Sequence, residues 1–86
     1  MPRLSQFYGI AIYMYYLDHA PPHFHAMYGD DEAVFDIGTG AVTAGHLPRR
    51  AKGLVEDWLE AHRAELHQDW ILAVAGQPLI PVPPLK

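Results

Sequence analysis

Glu32-Ala-Val-Phe-Asp-Ile37, Gly38-Thr-Gly40 and Ala41-Val-Thr-Ala-Gly45 together decide the fold. Ala33, Phe35 and Ile37 alternate with Val34 and Asp36, the period of a strand with one buried face. Gly-Thr-Gly is a hairpin signal, and residues 41–45 make the returning strand. Upstream, Tyr8-Gly-Ile-Ala-Ile-Tyr-Met-Tyr-Tyr16 is β-branched and aromatic, with Ile10, Ile12 and Met14 on one face. Tyr13 and Tyr15 fall on the other face. This strand stops at Asp18-His-Ala-Pro-Pro22, because two prolines offer no ladder donors. His23 to Tyr28 makes another strand, closed by Gly29-Asp30-Asp31. A small antiparallel meander of three to four strands follows.

Downstream of Gly45 the period changes. Pro48 suits a first helical position, where its missing N–H removes no bond. Ala51, Val55, Trp58, His62, Leu66, Trp70 and Ala73 recur at three- and four-residue steps, widened by Leu54, Leu59 and Val74. Gly76 stands where a glycine closes a helix. One straight helix over residues 48–75 would run ~42 Å, longer than a domain of this size. The spacing therefore predicts one bent helix, or two helices with a break near Ala61 to Ala64, packed on the sheet. The fold class is α+β: a single domain over residues 1–76, then an extended proline-rich tail over 77–86, either laid along the body or free.

Composition sets the outer limits. The chain has 86 residues, 50% hydrophobic, with no cysteine and a formal charge of −4. Scaling gives about 5,100 Å² of folded surface against roughly 14,000 Å² extended, which suits one core and leaves no room for a second. Disulfides and thiolate zinc sites are excluded. The uncharged run from Leu4 to Leu17 is too short to span a bilayer. The opening Met1-Pro-Arg-Leu-Ser5 lacks the pattern of a secretory signal, so a cytoplasmic location is expected. The acidic balance sits in residues 1–47, while residues 48–86 are neutral. Nonspecific nucleic-acid binding driven by overall charge is therefore not expected.

Two constellations carry chemistry. His23 and His25 lie two apart on a strand, sharing a face ~6.6 Å apart along the chain. His19 and Asp18 precede them in the proline loop. Asp18, His19, His23 and His25 have the donor types of a zinc or similar divalent site, closed or open. The same histidines could instead transfer protons or serve packing alone. The other constellation is Arg49-Arg50 after Pro48. Cations in a first helical turn oppose the macrodipole by ~0.3–1 kcal/mol each. An anion meeting both guanidinium groups and the helix N–H groups is one reason for them. Pairing with Asp30, Asp31 or Glu32 is the other.

Several strings resemble one known family. Ser5-Gln-Phe-Tyr-Gly-Ile10, Tyr15-Tyr-Leu-Asp-His19, Pro22-His-Phe-His-Ala26 and Leu47-Pro-Arg-Arg-Ala51 are similar to the bacterial domain-of-unknown-function family numbered 4160. The spacing of Glu56-Asp-Trp58, His62, Glu65-Leu66 and Trp70 is similar as well. The family has no settled activity. The resemblance implies a neighbouring gene for a second small domain, the unknown-function family numbered 2442, in what looks like a toxin–antitoxin pair with this chain as toxin. Its motif positions here are Asp18, His19, Pro22, His23, Phe24, His25, Arg50, Trp58 and Trp70.

The expected function is therefore a toxin-like component neutralised by a cognate antitoxin-like protein, with His23, His25 and Arg50 as catalytic candidates and Arg49 with Arg50 for an anion. The alternative is a metal- or anion-binding domain, or an enzyme on a phosphorylated substrate, without toxicity. Open sheet edges in so small a domain also predict a homo-oligomer or a heteromer; no membrane association is expected, since the longest uncharged run is too short to span a bilayer.

Overall fold

The computed structural model describes residues 2–86. Five strands form one antiparallel sheet in sequence order: β1 (Arg3–Phe7), β2 (Ile10–Tyr13), β3 (His23–Tyr28), β4 (Asp31–Asp36) and β5 (Val42–Gly45). One helix, α1 (Arg49–Val74), crosses the sheet. The α+β meander is as expected, with one strand more.

The added strand comes from the opening segment. The expected strand over 8–16 is instead a hairpin turned at Tyr8-Gly9, with φ of 49° and 79°. Positive φ at both central residues matches the twist of the flanking strands, and Gly9 takes its share without strain. Met14 to Tyr16 leave the ladder, and the loop swings over the end of α1, where the Leu17 N–H donates to the Ala73 carbonyl at 3.1 Å. At the same end of the sheet, the Asp36 carboxylate accepts the Thr39 N–H, which tightens the turn into β5. Gly45 has φ of 75°, and a Cβ there would collide with the Glu32 carbonyl oxygen. Only glycine lets β5 close so tightly on β4.

The helix is one element with a bend. His62, inside the window expected for a break, has φ −127° and ψ 20°. Pro48 is the N-cap rather than the first helical residue, because its ψ of 150° lies outside the helical range. Gly76 has φ of 71°; its N–H donates to Ala73, and the Gln77 N–H donates to Leu72. That pair of bonds is a Schellman closure.

The core forms between sheet and helix. Ile10, Ile12, Phe24, Ala26, Ala33 and Phe35 meet Val55, Trp58, Leu59 and Leu66, all essentially without solvent contact. Phe24 stacks on Phe35 at 5.4 Å and meets Trp58 edge-on at 5.6 Å. The tail lies along the body. The Val82 N–H donates to the Leu4 carbonyl, Trp58 Nε1 donates to the Pro83 carbonyl at 2.8 Å, and Val82 joins the core. Surface area is 4981 Å², close to the scaling expectation for a packed chain this long. Among the described residues no helix is long and apolar enough to cross a membrane.

Candidate metal centre

Alternation along β3 sends Phe24 and Ala26 into the core and leaves His23 and His25 half-buried on the other face. Register places Tyr13 and Val34 on either side of His25. Glu32 pairs with Met27, two residues on, so it shares that face. The Glu32 carboxylate consequently reaches His25 Nδ1 at 2.9 Å. His23 opens the strand, held through Nδ1 by the Pro21 carbonyl at 2.7 Å, while Nε2 meets Asp18 Oδ2 at 2.8 Å. Trp70 packs on the His23 ring at 5.0 Å, and Tyr15 meets the edge of His25 at 4.3 Å.

One donor atom from each of Asp18, His23 and His25 lies within 4.8 Å of the others. Two donors sharing one ion at ~2.0–2.1 Å stand ~3.0–3.4 Å apart. The Asp18–His23 pair is already close to that spacing, and the widest separation needs to shrink by only ~1.4 Å. Since Glu32 holds His25 Nδ1, the nitrogen left for an ion is Nε2. It is buried and has no hydrogen-bond partner among the described residues. Both partners of His23 are acceptors. The ring satisfies them together only when each nitrogen carries a proton, or when an ion replaces the proton on Nε2.

Electrostatics favour the ligand form of the carboxylate. Burial opposes charge on Asp18, but the His19 N–H bond, the His23 ring bond and the nearby His23 and His25 outweigh it, holding the carboxyl below its ordinary range. Burial, followed by Glu32, Tyr13 and Asp18, raises the Tyr15 phenol, so its proton stays on.

Not every residue singled out in the sequence joins this centre. His19 contributes its backbone N–H to Asp18 Oδ1 at 2.8 Å, but its exposed ring lies outside the donor cluster. Arg50 is elsewhere. It lines a separate cavity with Tyr8 and Tyr28, at the far end of β3 from His23. Five strand steps make that separation ~17 Å along the sheet. Arg49 and Arg50 are exposed, and neither makes an ion pair among the described residues, so the alternative pairing with Asp30, Asp31 or Glu32 is not formed. Glu32 and Tyr15 are the participants the sequence reading missed. The Gly29-Asp30 turn sets the register that brings Glu32 to His25, and that register was the available signal.

Residues 9–71 match the family described as Domain of unknown function (DUF4160). The chain belongs to this family. No curated protein and no solved structure matches it. The DUF4160 match takes in Asp18, His23, His25, Glu32 and Trp70, and leaves out β1 and the tail.

Proposed function

We propose that this DUF4160 chain is a small metal-binding domain whose ion is held by Asp18 Oδ2, His23 Nε2 and His25 Nε2. The observation that carries it is the buried, unpartnered Nε2 of His25 beside a carboxylate and a second imidazole. A buried polar atom without a partner costs about 1–3 kcal/mol, and coordination removes that cost. The second observation is how the rings are oriented. Each is gripped at Nδ1 by an oxygen, the Pro21 carbonyl and the Glu32 carboxylate, as metal-ligating histidines are in general. Two imidazoles and one carboxylate suit zinc or another borderline divalent ion. Three protein donors leave at least one coordination position open, the pattern of a reactive rather than a structural site.

The test is metal content and affinity of untagged protein. About one zinc per chain, with binding lost in His25→Ala and Asp18→Asn but retained in His19→Ala, is the expected result. Sub-stoichiometric metal, with a melting temperature unmoved by chelator, would overturn the reading.

We propose as a second reading, prompted by the resemblance of the sequence alone, that the chain is the toxin-like member of a bacterial toxin–antitoxin pair, neutralised by a cognate small protein. The exposed edge strand β5 offers a partner strand unpaired backbone groups. Expression of the chain alone should then arrest growth, and co-expression with the neighbouring gene product should restore it. Under this proposal His23→Ala or His25→Ala relieves the arrest while the fold persists. Unimpaired growth on expression of the chain alone removes it.

A further inference from the structure

We propose, resting on the metal reading above, that the cleft in front of the ion receives an uncharged or cationic ligand and turns phosphoryl groups away. A cavity of about 410 Å³ opens on Asp18 and His23, two of the three ligands, and not on His25, which closes the back of the site. The open coordination positions therefore face this cleft. Its other polar lining residues are His19, Asp36 and Thr43; the rest of the lining is apolar, and it includes no lysine or arginine.

Phosphoryl sites surround the anion with guanidinium groups, ammonium groups or helix N-termini. Here the walls have the opposite sign. Asp18 and Asp36 line the cleft, and Glu32 stands behind His25, so three carboxylates outnumber the two charges of a divalent ion. Arg49 and Arg50, which make no ion pair among the described residues, begin α1 at the other end of the sheet, and Arg3 on β1 bonds Gln6 and is no part of the cleft lining. A phosphoryl group arriving at the ion would meet two carboxylates within a cleft, where repulsion is screened less than in open water. A neutral nitrogen or carbonyl donor meets no such barrier, and a positive charge on the ligand finds Asp36. The anion-binding and metal-binding expectations thus separate onto two places in the molecule, with phosphorylated substrates excluded from the metal.

Cobalt(II)-loaded full-length protein tests this through its visible spectrum, with imidazole and inorganic phosphate as probes. Each dissociation constant is referred to the same probe on cobalt tris(2-pyridylmethyl)amine, whose ligand is uncharged. The phosphate-to-imidazole ratio of these referred constants should be at least tenfold higher on the protein. Asp36→Asn keeps an acceptor for the Thr39 N–H, and it should lower that ratio at least threefold by tightening phosphate alone. Thr43→Lys, which puts a cation into the cleft from an exposed strand position, should lower it further. Phosphate binding as well as the reference predicts, or a ratio unchanged in both variants, overturns the proposal. A chain that takes up no cobalt overturns the metal reading itself, and the proposal falls with it.

Discussion

Asp69→Asn should flatten part of the pH dependence of stability. Asp69 is 1% exposed on the inner side of α1; Oδ1 accepts the Ile80 N–H at 2.7 Å, and Oδ2 has no partner among the described residues. Burial raises its carboxyl above the ordinary 3.8; the Ile80 bond pulls it back, and Glu65 adds to the rise. The native chain therefore holds a proton at pH values where the unfolded chain has already released it. The stabilisation from this group is complete below the unfolded value and is lost as pH rises through the folded one. Within that window wild-type stability falls by up to about 1.4 kcal/mol per pH unit. For a domain this size the fall is roughly 6–11 °C in melting temperature per unit at the steepest. Asparagine retains an oxygen for Ile80 and has no proton to lose. Urea unfolding of both proteins from pH 3.5 to 8, with chelator present, reads the difference. The variant should gain on wild type as pH rises above about 4, and then hold its lead once Asp69 is ionised in both states. Parallel curves across the whole range, or a variant that loses ground with rising pH, would refute the reasoning.

Three further outcomes follow from the packing. Trp58→Phe leaves the Pro83 carbonyl without its donor, so it should destabilise by about 1–3 kcal/mol and speed proteolysis within residues 77–86, read by mass spectrometry. Gly45→Ala forces a Cβ against the Glu32 backbone at a positive φ; a loss of at least about 2 kcal/mol is expected by denaturant melt. It should also weaken metal binding, since the displaced Glu32 is the residue that orients His25. Phe24→Leu removes one stacked and one edge-on aromatic contact, about 0.5–1.5 kcal/mol each, and should lower thermal stability while leaving zinc stoichiometry unchanged.

The fold was legible wherever one face of an element is dry. Ala33, Phe35 and Ile37 announced their strand, and the stripe from Ala51 to Ala73 announced the helix. The helix bend at His62 was legible from length alone. The first strand was not. A bulge between Arg3 and Ser5 places Leu4, Ser5 and Phe7 all inside, which breaks the two-residue alternation, and Tyr8 is an unusual residue for a turn position of positive φ. Asp69 was hidden for a different reason. Its carboxylate is buried by the tail that returns through Ile80, and no local pattern records that long-range contact. At the candidate centre, Asp18, His23 and His25 were legible because they crowd one loop and one strand. Glu32 was visible as a charge but not as the partner of His25, since that needs the register of β3 against β4. Arg50 was grouped with the histidines on chemistry alone, and strand direction sends it to the opposite end of the sheet.

X-ray absorption of the zinc-loaded protein tests the central claim most directly. Two imidazole nitrogens and one or more oxygens at ~2.0–2.1 Å, with one imidazole lost in His25→Ala, is the shell that Asp18, His23 and His25 should give. A shell with no imidazole scattering, or one unchanged by His25→Ala, would contradict it.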